Sequence, residues 1–268
     1  MKLRTLAAIS LLVLAPGGAF AHRTWFLPSS TVLSGDEVWV TFDAAAANEV
    51  FYFDHRPLSL DDLVITGPDG AAVEAQNLSE GRLRNTFDLK LDKQGTYRIS
   101  LVSDGVFGFY KVDGEQKRWR GAASEISTAI PENATDVRID ESVRRVDSFV
   151  TLGAPTEDVV EPAGKGLEVE YGTHPNDLFA GEATPMRLLM NGKPAAGVEV
   201  SVVPGGIRYR DQLNEMKIVT DKNGGFEVEW PSAGMYWLNV TVEDDKSELP
   251  KVTGRRFAYT ATLEVMPQ

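Results

Sequence analysis

Short runs in which every second residue is apolar, broken by Gly, Pro, Asp and Asn, recur on both sides of a less regular middle in this 268-residue chain. A period of two puts one face of an extended strand on a core and leaves the other in water, so the pattern asks for sheets and not helices. In the first half the runs are VWVTF at 38–42, TFDLKL at 86–91 and YRISLV at 97–102. In the second half they are LEVEY at 167–171, VEVSVV at 198–203, FEVEW at 226–230, MYWLNVTV at 235–242 and RFAYTATLEV at 256–265. Turn sequences such as GPDG at 67–70, NGKP at 191–194 and DKNGG at 221–225 separate them. Evenly spaced short strands of this kind predict an all-β chain built as β-sandwiches.

Residues 113–165 depart from the pattern, with GEQKRWRG, PENATD, ESVRR and EPAGKG reading as exposed connection around one strand in RRVDSFVTL. The division expected is therefore a first β-sandwich domain over 22–163, which keeps this long irregular connection, and a second, Ig-like, over 164–268. Two separately folding sandwiches should let proteolysis release a stable fragment from about Gly166 to Gln268.

Residues 1–21 have a different character. MKLRTLAAISLLVLAPGGAFA carries Lys2 and Arg4, an apolar run from Leu6 to Leu14, and small residues at Ala19 and Ala21, which is the pattern of a secretory signal peptide. Cleavage after Ala21 is expected to leave a soluble periplasmic chain that begins with His22, with no membrane insertion of the mature part. The formal charge would pass from −12 to −14 with the loss of Lys2 and Arg4, a balance that disfavours nucleic acid and anionic membranes and suits cations. Cysteine is missing from the composition, so neither disulfides nor thiolate metal ligands are open to the chain.

No G-x-S-x-G elbow, H-E-x-x-H pair, P-loop or Rossmann glycine pattern occurs, and a non-enzymatic role is expected. The informative residues are three histidines, His22, His55 and His174. An N-terminal histidine offers its α-amine and its Nδ1 to one ion, and with a second imidazole this is a histidine brace. Nitrogen donors suit nickel, cobalt or copper over calcium or magnesium. His55 precedes Arg56-Pro57 and His174 precedes Pro175, and a residue before proline is held extended, so both sit at strand ends or turns. Asp54 and Asp177 lie close enough in sequence to orient these rings. The metal set expected is thus His22 and His55, with His174 as the third candidate if the two domains pack face to face. A plain surface histidine is the competing reading for each.

Other clusters read as structural. Trp119 in GEQKRWRG is either a docking patch or the cap of a small core, and PGGIRYRDQ at 204–212 holds either an anionic ligand or an Arg-Asp pair. Met186, Met190, Met216 and Met235 read as core fillers.

Two resemblances add to this. GKPAAGVEVSVV followed by TDKNGGFEVEWPSAGMYWLNVTV resembles the transthyretin-like, carboxypeptidase-regulatory Ig-type sandwich, with Gly197 and Gly224 at turns of positive φ. Over the whole mature chain, HRTWFLPSSTVLSGDEVWVTF, FYFDHRPLSLDDLVITGPDG, YKVDGEQKRWRG and GTHPNDLFAGE resemble a periplasmic family associated with nickel and cobalt uptake. That resemblance implies a metal ion as ligand, a membrane transporter or a TonB-linked receptor as partner, and the mature N-terminal histidine, here His22, as ligand. The chain departs from it in reading LNVTV after MYW, where relatives carry a histidine and a methionine. The rival expectations are a metal-free interaction module associated with an outer-membrane receptor or membrane reductase, and a copper-dependent oxidase built on the same brace.

Overall fold

The structure, a computed structural model, describes residues 22–268, so the signal peptide expected at 1–21 lies outside the described residues. The described chain is all β apart from single turns of helix at Ala123–Glu125, Ile126–Ala129 and Ile207–Tyr209. No helix among the described residues is long and apolar enough to cross a membrane.

Three sheets form two β-sandwiches. A five-stranded sheet orders Arg23–Pro28, Val38–Ala47, Asn85–Leu91 and Gln76–Glu80, with Arg56–Pro57 continuing the edge of Val38–Ala47 that carries Asn85–Leu91. A four-stranded sheet in the second half holds Leu167–Tyr171, Ala183–Met190, Lys193–Pro194 and Gly225–Glu229. Between them runs one eleven-stranded sheet to which both halves contribute. Its central seam joins Thr135–Leu152, from the first half, in parallel to Gly254–Met266, the last strand, over nine residue pairs from Asp140↔Gly254 to Ser148↔Thr262.

Residue parity shows how the layers stack. Val146, Val150 and Leu152 enter one core with Phe26, Phe42, Phe87 and Leu89 of the five-stranded sheet. Val143 enters a second core with Leu167, Val169, Leu188 and Phe226 of the four-stranded sheet. Even and odd positions of a strand point to opposite faces. The small sheets therefore cover opposite faces of the large one, at opposite ends. This arrangement leaves two junctions, one on each face, where the edge of a small sheet meets the uncovered end of the large sheet.

The irregular middle is more ordered than its sequence suggests. Glu115–Gly121 is a strand in a hairpin with Gly95–Val112, and Thr135–Leu152 is eighteen residues long. TDVRIDESVRRVDSFVTL hides its period because both faces are buried from Val146 to Leu152, Val143 having served one core and Val146 serving the other. Trp119 packs beside Val106, Ile126 and Ile139 as the cap of a small core.

Candidate functional site

His22 and His55 are brought together. Their rings stack with centroids 3.5 Å apart and planes 6° from parallel. The contact follows from strand order: Ala46 of Val38–Ala47 pairs with Thr24 on one side and Arg56 on the other. The segments that carry the two histidines thus flank one strand, about 10 Å apart, and the small side chains of Ala45–Ala47 leave room for the rings to meet. The intervening turn is fixed by Asp54, whose Oδ1 accepts the Asn48 backbone N–H at 2.9 Å and whose Oδ2 accepts from the Asn48 side chain at 3.2 Å. Asp54 is therefore committed to the turn and does not orient an imidazole, as the sequence had suggested. Both histidines are exposed.

His174 lies elsewhere. Its Nδ1 accepts the backbone N–H of Asn176 at 3.0 Å, and its Nε2 stands 3.0 Å from Thr96 Oγ1 and 3.3 Å from the Thr156 carbonyl. With Nδ1 accepting, the ring proton belongs on Nε2, and no lone pair is left for an ion. Burial, opposed by Glu157, the Thr156 carbonyl and Asp177, pushes its pKa below the ordinary histidine value. Thr151, bonded to both Thr96 and Asn176, is on the odd face of Thr135–Leu152. The space beside His22 is lined by Ser142 and Arg144 of the even face. The two histidine positions thus occupy opposite faces of the large sheet, and the three-histidine set is not assembled. Among the described residues no group of three or more His, Asp or Glu side chains is arranged to hold an ion.

The junction beside His22 joins the two halves. Trp237 donates its Nε1–H to the Thr24 carbonyl at 3.0 Å and packs with Trp25, Ala45, Ala47 and Val203. Next to it is a cleft of about 260 Å³, whose walls include His22, Arg23, Arg56, Arg144, Arg256 and Asn239. Sequence reading missed this cleft because its arginines come from four separate segments. In the 204–212 loop, Arg210 donates to the carbonyls of Pro204, Gly205, Gln212 and Leu213, so its guanidinium closes the loop on itself in place of pairing with Asp211.

A family model described as a domain of unknown function, DUF4198, matches residues 19–244. The chain belongs to this family. The DUF4198 match spans both sandwiches and stops before Gly254–Met266. A comparison with curated proteins finds no match. Among solved structures, the D0-D1 domain of intimin shares 14% identity over 90% of this chain and 97% of its own, with a TM-score of 0.23. The Yersinia pseudotuberculosis adhesin InvE shares 13% over 92% of this chain and 61% of its own, TM-score 0.23. The human OSCAR ligand-binding domain shares 14% over 91% of this chain and 100% of its own, TM-score 0.20. Scores this low carry no argument about what the chain does.

Proposed function

We propose that this protein is a periplasmic binding protein that captures a divalent transition metal ion, nickel, cobalt or copper, and delivers it to a membrane transporter. The observation that carries the reading is the His22–His55 pair: two of the chain's three histidines, 33 positions apart, meet at the start of the expected mature chain. The family resemblance to metal-uptake components supports the choice of cargo. Cleavage after Ala21 would add the His22 α-amine, giving three nitrogen donors, a set that suits these metals. Lone pairs lie in the plane of an imidazole, so face-to-face rings cannot share an ion as they stand. One ring turns edge-on between staggered rotamers, which exposure permits. An open set of three donors on exposed side chains suits transfer more than permanent retention.

The test is a titration of nickel(II) and copper(II) into exported protein whose N-terminus has been confirmed as His22 by mass spectrometry. One site is expected, weakening as pH falls through roughly 6 to 8, where imidazole and α-amine take up protons. His22→Ala, His55→Ala, or one residue added before His22 should each weaken it by at least about tenfold, whereas His174→Ala should leave it unchanged. Copper should outrank nickel whatever the physiological cargo. If wild type binds no more metal than the His22→Ala, His55→Ala double variant, the metal reading fails and the interaction module takes its place.

A further inference from the structure

The cleft beside His22 is chemically out of keeping with the rest of the molecule. The chain carries 39 Asp and Glu against 27 Lys and Arg, yet the cleft is lined by Arg23, Arg56, Arg144 and Arg256 and by no carboxylate. The register explains why the charges converge. On the parallel seam Arg144 stands opposite Ala258 and Arg256 opposite Ser142, which makes the two arginines diagonal neighbours on one face, about 7–8 Å apart. Arg56 arrives from the five-stranded sheet, on the strand that flanks Ala46.

Two of the four are partly satisfied. Arg23 donates to the Asn48 carbonyl and lies 3.9 Å from Glu49, and Arg256 lies 3.2 Å from Glu243. Arg144, half-buried, and Arg56, exposed, are paired with no carboxylate among the described residues, and residues 1–21 contain no Asp or Glu to supply one. Burial first, and then the charges of Arg256, Arg120 and Arg56, push the Arg144 pKa down. A half-buried guanidinium among like charges destabilises the empty protein, and a ligand of opposite charge would relieve it.

We propose that this cleft is a binding site for a small multivalent oxyanion, a phosphate or a di- or tricarboxylate, gripped by Arg144, Arg256 and Arg56. Guanidinium forks match the planar or tetrahedral oxygen pattern of such anions two bonds at a time. The hydroxyls of Ser142 and Thr241, in the same walls, add neutral donors, whereas the Asn239 amide is already committed to the Tyr259 carbonyl and the Thr260 hydroxyl. A volume of about 260 Å³ admits an anion of citrate size. The site does not require a metal on the neighbouring histidines. With one there, the anion would lie within reach of the ion as a counter-ligand.

The experiment uses metal-free mature protein in low-salt buffer, with thermal melting and calorimetry against sodium citrate and, separately, inorganic phosphate. At least one of the two should bind and raise the Tm of the wild type, with binding weakened by added sodium chloride. Arg144→Gln should bind at least about tenfold more weakly, the loss of one charge-assisted contact, and should melt higher than wild type in the absence of anion because like-charge repulsion is gone. Arg56→Gln, at an exposed position that does not endanger folding, should weaken binding without that rise. Lys222→Gln, on a distant exposed turn, should bind like wild type. Phosphatidylglycerol vesicles separate a lipid-borne phosphate from a free anion: retention on vesicles without binding of either free anion overturns the proposal. So does wild-type protein indifferent to both anions, or undiminished binding in Arg144→Gln and Arg56→Gln.

Discussion

At the scale of single residues, His174 shows how a side chain chosen for its chemistry can be consumed by structure. Its neutral form is fixed by a donor at Nδ1 and by acceptors at Nε2, and a second ring proton would face the Asn176 N–H. Because burial sets its folded pKa below 6.5, the unfolded chain takes up the proton at higher pH than the folded one. The contribution to stability is then complete above the unfolded value and lost as pH falls through it towards the folded value. The urea midpoint of the wild type should drop between about pH 7.5 and 5.5 by more than that of His174→Gln. Equal drops would mean that the ring carries its proton in the folded state.

At the scale of elements, Thr135–Leu152 does most to hold the halves together, and it does so with charge as well as apolar surface. Asp147, fully buried, accepts from Arg98 Nη2 and from Ser100 Oγ, each at 2.6 Å, and Arg145 approaches at 3.8 Å. Burial works against the Arg98 charge, but Asp147, with Tyr259 and Glu168, more than offsets it and holds the Arg98 pKa above the ordinary arginine value. Glu168 lies 3.5 Å from Arg145 and 4.0 Å from Arg98, and its carboxylate also accepts the backbone N–H groups of Ala163, Gly164 and Lys165. The network spans Gly95–Val112, Thr135–Leu152 and Leu167–Tyr171 on the face opposite the histidine pair. Asp147→Ala would leave the Arg98 guanidinium without its main partner and Arg145 with Glu168 alone, and urea unfolding should show a loss of roughly 3–5 kcal/mol. A loss below about 1 kcal/mol would show that water reaches the network and screens it.

For the whole molecule, the shared sheet sets a prediction opposite to the one the sequence offers. Residues 164–268 own most of one core, yet alone they would expose the edge of Gly254–Met266 that pairs with Thr135–Leu152, and the Trp237 face that packs under Trp25. An unpaired strand edge of that length invites association. The full chain is expected to unfold in one urea transition by tryptophan fluorescence and circular dichroism alike, and the 164–268 fragment to be markedly less stable or to self-associate. A monomeric fragment with the same midpoint as the full chain would restore two independent domains.

The sequence by itself determined the local structure. Alternation at 38–42, 86–91, 167–171, 226–230 and 256–265 announces strands because each of these segments buries one face on one core throughout. Turn chemistry was equally legible: Gly224 adopts φ 76°, and a side chain there would meet the Leu188 carbonyl at 2.5 Å. His55, just before Arg56-Pro57, and His22, at the expected mature terminus, stood out because so few histidines exist. Only the tertiary structure decided the rest. Thr135–Leu152 is buried on both faces from Val146 onward, so its period is lost in one dimension. Whether a histidine meets another histidine or a threonine depends on which face of the large sheet it reaches, and no local signal encodes that. The arginines of the cleft come from 23, 56, 144 and 256, each unremarkable among its neighbours in sequence, and they form a site because strand pairing between distant segments places them on one face.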